Sequence, residues 1–441
     1  MSPSSSGLQP SLWNEQGDSV HTFKVVEICA GAGGQSLGLD LAGFKHELAV
    51  ELDANAANTL RHNRPDWKIA EGDVANPDIW NPADYKGIDL LAGGVPCPPF
   101  TIAGKQLGAT DERDLFAWAI ELCGIMEPRA LMLENVRGLS MPRFSAYRQH
   151  VLDRLRELGY IGDWQLLHAS DYGVPQLRPR FVLVAMKPDD FQYFQWPQKQ
   201  GQAKTVGETL QDLMAEGGWR WASHWAAGAN DIAPTIVGGS KKHGGADLGP
   251  TRAKRAWAEL GVNARVLGDG PPSEESPKPV KGKQEGFRPP LTCEMVARLQ
   301  GWNGPDYEWE FTGRKTSNYR QIGNAFPPPV ARAIGEQIHR ALSHQGDPQP
   351  LVELTNTTHD PLYAVLRSAS GFLTMEEINR RLDQPLDASV FERHINHLKQ
   401  DFKIEVEDGK VAAYRLESFK AFVGQEDHLR HEAFIKPNKI S

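Results

Sequence analysis

The 441-residue sequence has only four cysteines, no long hydrophobic run and no excess of basic residues. The cysteines are Cys29, Cys97, Cys123 and Cys293, and no two of them form a CxxC pair. Zinc sites and disulfide frameworks need cysteines at short, recognisable spacings. The sequence therefore predicts neither kind of site, and it favours a reducing, cytoplasmic setting.

No apolar segment approaches the roughly 20 residues that a membrane-spanning helix requires, so no membrane partner is predicted. Residues 1–20 are polar and lack the basic-then-apolar order of a secretory signal. We interpret them as a disordered lead-in. The formal net charge is -8, which argues against a protein that coats nucleic acid without specificity but not against an enzyme with one basic cleft.

A predicted strand, a glycine turn and a helix follow the lead-in. Residues 23–30 run apolar into Gly31, Gly33 and Gly34, and residues 35–44 have helical spacing. This order is typical of a nucleotide-binding unit, because glycine lets the backbone approach a ligand where a Cβ would clash. A tight turn without a ligand is the alternative.

The next two predicted strands end in carboxylates. Residues 46–53 contain Glu51, twenty residues beyond Gly31, where an acidic side chain commonly accepts hydrogen bonds from a ribose. A third short strand ends near Asp73, whose carboxylate can accept from an exocyclic amine. Solvated surface carboxylates are the alternative, but two carboxylates that close successive strands favour an adenosine site.

A cysteine held between prolines follows the next apolar run. Residues 88–93 lead into the sequence Pro-Cys-Pro-Pro at 96–99, which contains Cys97. Open sheets bind and react at the carboxyl ends of their strands, and a thiolate attacks electrophilic carbon, so Cys97 is a candidate nucleophile. Because free cysteines are often buried core residues, this cysteine alone does not define a site. The polar residues 104–114 are typical of a lid or binding loop.

Two later segments place charged groups near the same predicted sheet edge. The buried strand 129–139 contains Glu134. Gln176, Arg178 and Arg180 alternate with a strand period, so their side chains are predicted to point to one face. They indicate an anion or base-edge site, with a solvated sheet face as the alternative.

Residues 188–285 are rich in glycine, proline, tryptophan and glutamine and have weak periodicity. They carry a glycine-flanked basic segment with Ser240, Lys241 and Lys242, and Arg252 follows it. Basic residues on flexible loops suit phosphate contact and entry into a groove of nucleic acid. A merely solvated loop is the alternative.

The last third of the sequence contains two further signals. A glycine-asparagine turn at Gly323-Asn324, next to a proline-started helix, is predicted to return the chain to the ligand pocket. Residues 351–441 are predicted to form three helices and a hairpin that turns at Asp408-Gly409, which is a winged-helix pattern. The charges of these helices are mixed, so protein and DNA both remain open as partners of the tail.

Taken together, these motifs resemble those of the bacterial cytosine-5 DNA methyltransferases, over about residues 23–340. The segment at Cys97 is similar to that family's nucleophile motif, with proline where glutamine is commoner. Residues 134–136 are similar to its ENV motif and residues 176–180 to its QxRxR motif. Residues 31–34 and 323–325 are similar to its first and last cofactor motifs.

One residue departs from the pattern of the family. The cofactor loop of these enzymes usually has a phenylalanine that packs on adenine, and Cys29 stands in its place. Either the cofactor is bound more weakly, or another apolar group covers the ring. Leu52, Val74 and Ile102 are the candidates for that group.

The resemblance implies an α/β fold with a doubly wound, Rossmann-like methyltransferase sheet, a smaller irregular target-recognition domain and a C-terminal winged-helix-like segment. The expected units are the lead-in over 1–20, a catalytic and cofactor-binding domain over 21–187, a target-recognition domain over 188–315, a returning segment over 316–345 and the winged-helix-like domain over 351–441.

The resemblance also implies that the chain methylates carbon 5 of a specific cytosine in double-stranded DNA, with S-adenosylmethionine as the cofactor and with the base flipped out. The catalytic residues implied are Cys97, Glu134, Arg178 and Arg180. The cofactor contacts implied are Ala30, Gly31, Gly33, Gly34, Glu51, Leu52, Asp73, Val74, Pro96, Asn324 and Ala325. The DNA contacts implied are Thr101, Lys105, Gln106, Gln176, Ser240, Lys241, Lys242 and Arg252. No metal is implied.

A restriction endonuclease is expected as a genetic rather than a physical partner, and the protein is expected to act as a monomer on the bacterial nucleoid. The first alternative is a tRNA cytosine-5 methyltransferase, although the long region 188–285 favours DNA because tRNA-directed relatives have little sequence there. An inactive DNA-binding regulator on the same scaffold is the second. An unrelated nucleotide-binding oxidoreductase would explain the glycine turn but neither Cys97 nor the QLRPR segment.

Overall fold

The structure is a computed structural model that describes residues 22–95, 113–238, 247–350, 359–407, 409 and 411–419. Its centre is a seven-stranded sheet with the strand order β3-β2-β1-β4-β5-β7-β6. The strands are β1 (Lys24–Ile28), β2 (Lys45–Glu51), β3 (Ile69–Glu71), β4 (Leu90–Gly93), β5 (Ala130–Val136), β6 (Ile161–His168) and β7 (Pro179–Met186).

The prediction of a doubly wound α/β sheet is confirmed, with one difference in strand direction. Strands β1 to β5 pair in parallel, whereas β7 runs antiparallel to both β5 and β6. The edge strand β6 is not distinct in the sequence, because most of its residues are only half-buried and it lacks a continuous apolar run. Parallel strands place their carboxyl ends at one edge, and this is where the predicted site residues that end or follow β1, β2 and β3 lie.

The α-helices of the described residues up to 350 either pack on the two faces of this sheet or belong to a separate core. They are α1 (Gly34–Leu41), α2 (Ala54–Asn63), α3 (Arg113–Met126), α4 (Ser145–Glu157), α5 (Pro188–Phe191), α6 (Val206–Ala215), α7 (Ala222–Gly228), α8 (Thr251–Glu259), α9 (Cys293–Gln300), α10 (Lys315–Asn324) and α11 (Pro328–Leu342). Side chains of α3 and α4 pack with Val26 and Leu91 on one face. Side chains of α11 pack with Val25 and Leu90 on the other, as the two-residue alternation of strands requires.

The region between the sheet and α11 is more helical than the sequence indicates. Helices α6 to α9 surround a separate core in which Trp219, Trp225 and Trp257 are buried. The basic stretch at Arg252 was predicted as a flexible loop, but it forms α8, and Arg252 is exposed on it. Likewise, Gly323 and Asn324 end helix α10 rather than forming a turn. Tertiary packing of the tryptophans explains the difference, since the local sequence alone has weak periodicity.

The tail has its own core beside α4. It contains α12 (Pro361–Ser368), α13 (Met375–Asn379) and α14 (Ala388–Asp401), with β8 (Leu373–Thr374), β9 (Phe402–Glu407) and β10 (Ala413–Phe419). The three strands form an antiparallel sheet in the order β8-β10-β9. Three helices with a small antiparallel sheet are the elements of a winged helix, and β8 is a strand that the sequence did not reveal.

Hydrogen bonds attach the tail to α4. Ser145 donates its hydroxyl to Asp360 over 2.6 Å, and the ring of His150 lies 3.0 Å from the Tyr363 hydroxyl. Burial lowers the pKa of His150 to about 4, so this histidine is neutral at physiological pH. Within the described parts of the chain, the helices are too short or too polar to cross a bilayer.

Helices α1 and α11 are in close backbone contact at Gly38. A Cβ at Gly38 would lie 2.5 Å from the Pro328 carbonyl oxygen and 2.6 Å from the Arg332 nitrogen. Because backbone atoms cannot move aside as a flexible side chain can, this position requires glycine.

We expect Gly38→Ala to lower the free energy of unfolding by about 1–3 kcal/mol, the usual effect of overpacking. Gly371→Ala is the matched control, since a Cβ at Gly371 would meet open space. Thermal and urea unfolding of both variants give the comparison. Equal stability of the two variants would contradict the assigned contact.

Candidate active site

A cavity of about 330 Å³ opens at the carboxyl ends of β1 and β2. Many of the predicted cofactor residues line it, and they come from distant parts of the sequence. They are Ala30, Gly31, Gly34, Glu51, Leu52, Asp73, Val74, Asn324 and Ala325. The volume lies in the range of small-molecule sites. The structure therefore brings the first and last of the predicted cofactor motifs to one cavity.

Glu51 connects the second strand to the glycine turn. Its carboxylate accepts from the Gly31 N–H over 2.7 Å and from the Asp53 N–H over 2.7 Å. Burial raises the pKa of Glu51, while these two N–H groups act in the opposite direction. Each oxygen keeps a lone pair that can accept from a ligand hydroxyl.

Trp309 holds the glycine turn from outside the cavity. Its indole N–H donates to the Ala32 carbonyl over 2.8 Å. A Cβ at Gly33 would lie 2.5 Å from the Trp309 ring, and Gly33 has φ +93°, so the close approach and the backbone both require glycine there. Gly33 is accordingly a packing residue of the turn and is not part of the cavity lining.

The position where the family has phenylalanine does not supply an aromatic cover. Cys29 lines the cavity with φ +52°, a left-handed conformation that is uncommon outside glycine. Of the alternative covers, Val74 is buried and Leu52 projects with 67% of its surface exposed. Ile102 lies outside the described residues.

A buried ion pair contributes to the wall of the cavity through Glu134. Arg180 Nε lies 2.5 Å from Glu134 Oε1, and the two side chains are 11% and 12% exposed. Burial raises the pKa of Glu134, although Arg180 and Arg178 lower it. A carboxyl group with a raised pKa can keep its proton and donate a hydrogen bond. Glu134 can therefore donate to a ring nitrogen, and Arg180 can donate to a carbonyl oxygen.

The neighbouring Asn135 anchors the end of β4. Its amide donates to the Val95 carbonyl over 3.2 Å. Val95 is the last described residue before the Pro-Cys-Pro-Pro segment. The Asn135 contact therefore fixes the chain two residues ahead of Cys97.

Arg178 and Gln176 lie in the interior, which corrects the prediction that they face a ligand with Arg180. The Arg178 guanidinium is 1% exposed and donates to the carbonyls of Ile236 (2.7 Å), Gly323 (2.9 Å) and Ala325 (2.7 Å). Its burial lowers its pKa. Regular strand structure begins only at Pro179, so the alternation does not extend back to these residues.

Gln176 was predicted as a DNA contact, but its side chain is fully buried. It donates to the Gln300 side chain and to the Leu299 carbonyl, and it accepts from the Ile236 N–H. Gln176 thus joins α9 to the segment that carries Ile236. We assign Gln176 and Arg178 to internal bracing instead of substrate contact.

Several predicted residues cannot be placed. Pro96, Cys97, Thr101, Lys105, Gln106, Ser240, Lys241 and Lys242 lie outside the described residues. Cys123, by contrast, is a core residue of α3, and burial raises the pKa of its thiol to about 12. It is therefore not a nucleophile.

The cavity also contains residues that sequence reasoning missed. Glu27, Gln35, Ser317, Arg320, Gln321 and Phe326 contribute to its wall. Ser317, Arg320 and Asn324 share one face of α10, since they are spaced by three and four residues. This spacing was a usable signal, but the region was interpreted as a turn. Among the described residues, no cluster of histidine, cysteine, aspartate and glutamate can hold a metal ion.

Comparison with known proteins gives a family match over most of the chain. A family model described as C-5 cytosine-specific DNA methylase matches residues 23–340. The Type II methyltransferase M.NaeI of Lentzea aerocolonigenes is 61% identical over 418 residues, which cover 95% of this chain and 98% of that protein. The Type II methyltransferase M.NgoMIV of Neisseria gonorrhoeae is 49% identical and covers 73% of this chain and 99% of its own length.

A crystal structure of a DNMT2 variant from Spodoptera frugiperda has a similar fold. It superposes with a TM-score of 0.50 at 18% identity and covers 72% of this chain and 99% of that one. The tail beyond residue 340 lies outside the family match.

We expect Arg178→Met to destabilise the protein by at least about 3 kcal/mol, because three buried carbonyls lose their donor at about 1–3 kcal/mol each. Arg265→Met, at an exposed arginine, is the matched control. Unfolding followed by circular dichroism measures both. A melting temperature equal to that of the control would show that the bracing is unimportant.

Proposed function

Because this chain belongs to the C-5 cytosine-specific DNA methylases, we propose that it methylates carbon 5 of one cytosine in a specific duplex sequence, with S-adenosylmethionine as the methyl donor. The observation that carries this proposal is the buried Glu134–Arg180 pair, whose Glu134 lines the same cavity as the glycine turn and α10. The family match covers every one of these elements.

The cavity wall fits the proposed donor. Glu51 can accept from ribose hydroxyls while its own position is held by Gly31 and Asp53. Asp73, also in the wall, can accept from the exocyclic amine of adenine. When bound, S-adenosylmethionine supplies an electrophilic methyl group on a sulfonium, which carbon 5 of the target base receives.

Cys97 is proposed to make carbon 5 reactive. Its thiolate forms a bond to carbon 6 of cytosine, which breaks the conjugation of the ring and leaves an enamine with a nucleophilic carbon 5. After methylation, carbon 5 loses its proton and the thiolate leaves carbon 6, which restores the aromatic ring. The Asn135–Val95 hydrogen bond supports this role by holding the chain just before Cys97.

Glu134 and Arg180 offset the charge that thiolate attack places on the ring. Protonated Glu134 donates to ring nitrogen 3, and Arg180 faces the carbonyl at position 2. The two side chains already lie 2.5 Å apart, so little rearrangement is needed. Burial favours the protonated form of Glu134, which is the form that this step uses.

The target base must leave the duplex to reach this pair. We assign closure over the flipped base to the loop 98–114 and sequence choice to the region 188–285. Arg252 on α8 is exposed and suits a phosphate contact. The names of the Type II methyltransferase relatives support a restriction-modification role. We further propose that the enzyme acts as a monomer in the bacterial cytoplasm, with a restriction endonuclease as a genetic partner.

The choice between DNA and tRNA is tested with labelled methyl donor. Full-length protein is incubated with tritiated S-adenosylmethionine and with separate pools of duplex DNA and tRNA. We expect label only in duplex DNA. Label only in tRNA would assign the activity to RNA, and no label in either pool would favour the inactive regulator.

A duplex containing 5-fluorocytosine should trap the enzyme, because carbon 5 then carries fluorine and cannot lose a proton. We expect a covalent adduct that survives denaturing electrophoresis and forms only with methyl donor present. Cys97→Ala should form none while still binding S-adenosylhomocysteine. An adduct with Cys97→Ala, or none with the unaltered protein across a broad pool of sequences, would refute the assigned nucleophile.

The pH dependence of methyl transfer tests Glu134. Thiolate and protonated carboxyl are needed together, so the rate should pass through a maximum and fall at alkaline pH. Glu134→Gln keeps a neutral donor and should be slower by about 10²–10⁴-fold, but its rate should rise to a plateau without the alkaline fall. Glu127→Gln, at an exposed carboxylate, is the control and should keep the maximum. An alkaline fall that persists in Glu134→Gln would exclude this role.

A further inference from the structure

Helix α14 of the tail has one apolar and one polar face. The residues that it buries in the core of the tail are Phe391, Ile395 and Leu398. On the opposite side, Arg393, Asn396 and Gln400 are all exposed. Their spacing of three and four residues places them on one side of the helix, and we call these three residues the α14 face.

The side chains of the α14 face have their polar groups available. They form no hydrogen bond or ion pair with any part of the chain that the structure describes. Two other arginines of the tail, by contrast, are paired on its surface, Arg380 with Glu376 and Arg415 with Glu405. Arginine, asparagine and glutamine are among the residue types that contact phosphates and base edges in DNA. The composition of the α14 face therefore suits a nucleic-acid partner.

Positive charge continues from the α14 face onto the catalytic part of the chain. Helix α14 packs against the short 3₁₀ turn Pro142–Phe144, which carries Arg143. Burial lowers the pKa of His397 on α14, and the positive charges of Arg393 and Arg143 lower it further. Both guanidinium groups therefore lie close to this histidine, and together they make the junction of α14 and the turn attractive to phosphate.

The junction lies at the edge of the sheet where the cavity opens, which we call the catalytic edge. The chain leaves the carboxyl end of β5, where Glu134 lines the cavity. It then passes through the turn Pro142–Phe144 and enters α4. At the start of α4, Ser145 donates to Asp360 over 2.6 Å and so fixes the tail there. Helix α14 is thus held beside the edge to which a duplex must bring its cytosine.

We propose that the α14 face binds duplex DNA beside the target cytosine, with Arg393 on a phosphate and with Asn396 and Gln400 donating to the same stretch of duplex. This inference rests on the proposed function, because it assumes a duplex substrate at the catalytic edge. The second helix of a helix-turn-helix unit lies against DNA in a comparable way. Because the tail is already fixed to α4, binding requires little ordering of the chain.

The test compares a long and a short duplex around the same cytosine, chosen from the DNA that receives label in the methylation assay. The long duplex extends about 20 base pairs, roughly two helical turns, to each side of the cytosine, and the short one about 6. Fluorescence anisotropy measures the affinity of the full chain for each duplex, in the unaltered protein and in Arg393→Met, Glu392→Gln and Arg340→Met. Arg340 is the matched control, because it is exposed beside His339, which packs on Phe23 just ahead of β1 and so at the opposite edge of the sheet.

We expect Arg393→Met to weaken the long duplex about 5- to 10-fold at about 0.1 M salt, and to make the slope of log affinity against log salt less steep by about 0.9, as the loss of one phosphate contact requires. Its effect on the short duplex should be no larger than that of Arg340→Met. Glu392 is exposed at the margin of the α14 face, so Glu392→Gln should strengthen binding of the long duplex by removing a negative charge near the phosphates. Thermal unfolding of Arg393→Met should match that of the unaltered protein, since the residue is exposed.

Two results would overturn the proposal. Equal weakening of both duplexes by Arg393→Met would show that the residue does not act on the flank of the site. Long-duplex affinity equal to that of Arg340→Met would show that the α14 face does not bind DNA, and self-association of the unaltered chain that Arg393→Met abolishes in sedimentation would then assign the face to a protein contact. If the unaltered protein labelled only tRNA or no nucleic acid, the proposed function itself would fail, which is distinguishable from duplex methylation with unchanged affinity in Arg393→Met.

Discussion

The buried guanidinium of Arg178 is the contact on which the arrangement of the site depends. It binds carbonyls on the segment at Ile236 and at the end of α10, so the start of β7 is tied to two regions that lie far away in the sequence. Gln176 adds α9 to the same junction. A buried charge of this kind is costly unless its donors find acceptors, and carbonyls at fixed positions accept from both terminal nitrogens of the guanidinium, whereas its Nε has no hydrogen-bond partner in the described residues. These contacts of Arg178 fix the orientation of α10 relative to the sheet.

The position of α10 decides what the cavity contains. With α10 held, Ser317, Arg320 and Asn324 line the same cavity as Glu51, which ends β2, and Asp73, which follows β3. Arg180, two residues after Arg178, pairs instead with Glu134, which lines the cavity. Arg178 and Arg180 therefore have different roles. Arg178 binds carbonyls inside the protein, and Arg180 pairs with Glu134 at the site. Trp309 completes the enclosure by holding the glycine turn through the Ala32 carbonyl.

The tail is attached to α4 rather than to the site. Its contacts are polar, as between Ser145 and Asp360, and aromatic, as between His150 and Phe402. M.NgoMIV is matched along 99% of its length by 73% of this chain, so a relative of this family is complete without a segment equal to about a quarter of the chain. The family match itself ends at residue 340, before the tail.

Prediction from the sequence was most successful where a functional side chain directly ends or follows an apolar strand. The glycine turn, Glu51, Asp73 and Glu134 each end or follow an apolar run, and parallel strands bring such ends to one edge. It failed at α8 and α10, where burial of Trp257 on α8 and Tyr319 on α10 in a shared core stabilises helices that weak local periodicity does not predict. It also missed Glu27 and Arg320, because neither belongs to a pattern that identifies a ligand contact before the chain is folded.

By itself, the sequence determined the family and the residue types available for catalysis. It also determined the order along the chain in which strands end in a glycine turn or a carboxylate. Only the tertiary structure decided which of those groups face the cavity. Gln176, Arg178 and Arg180 illustrate the reason, because their spacing is regular but their surroundings come from Ile236, Leu299 and Gly323. In a regular strand, the spacing of residues predicts the direction in which each side chain points. The residues that the side chain contacts come from segments that are distant along the chain.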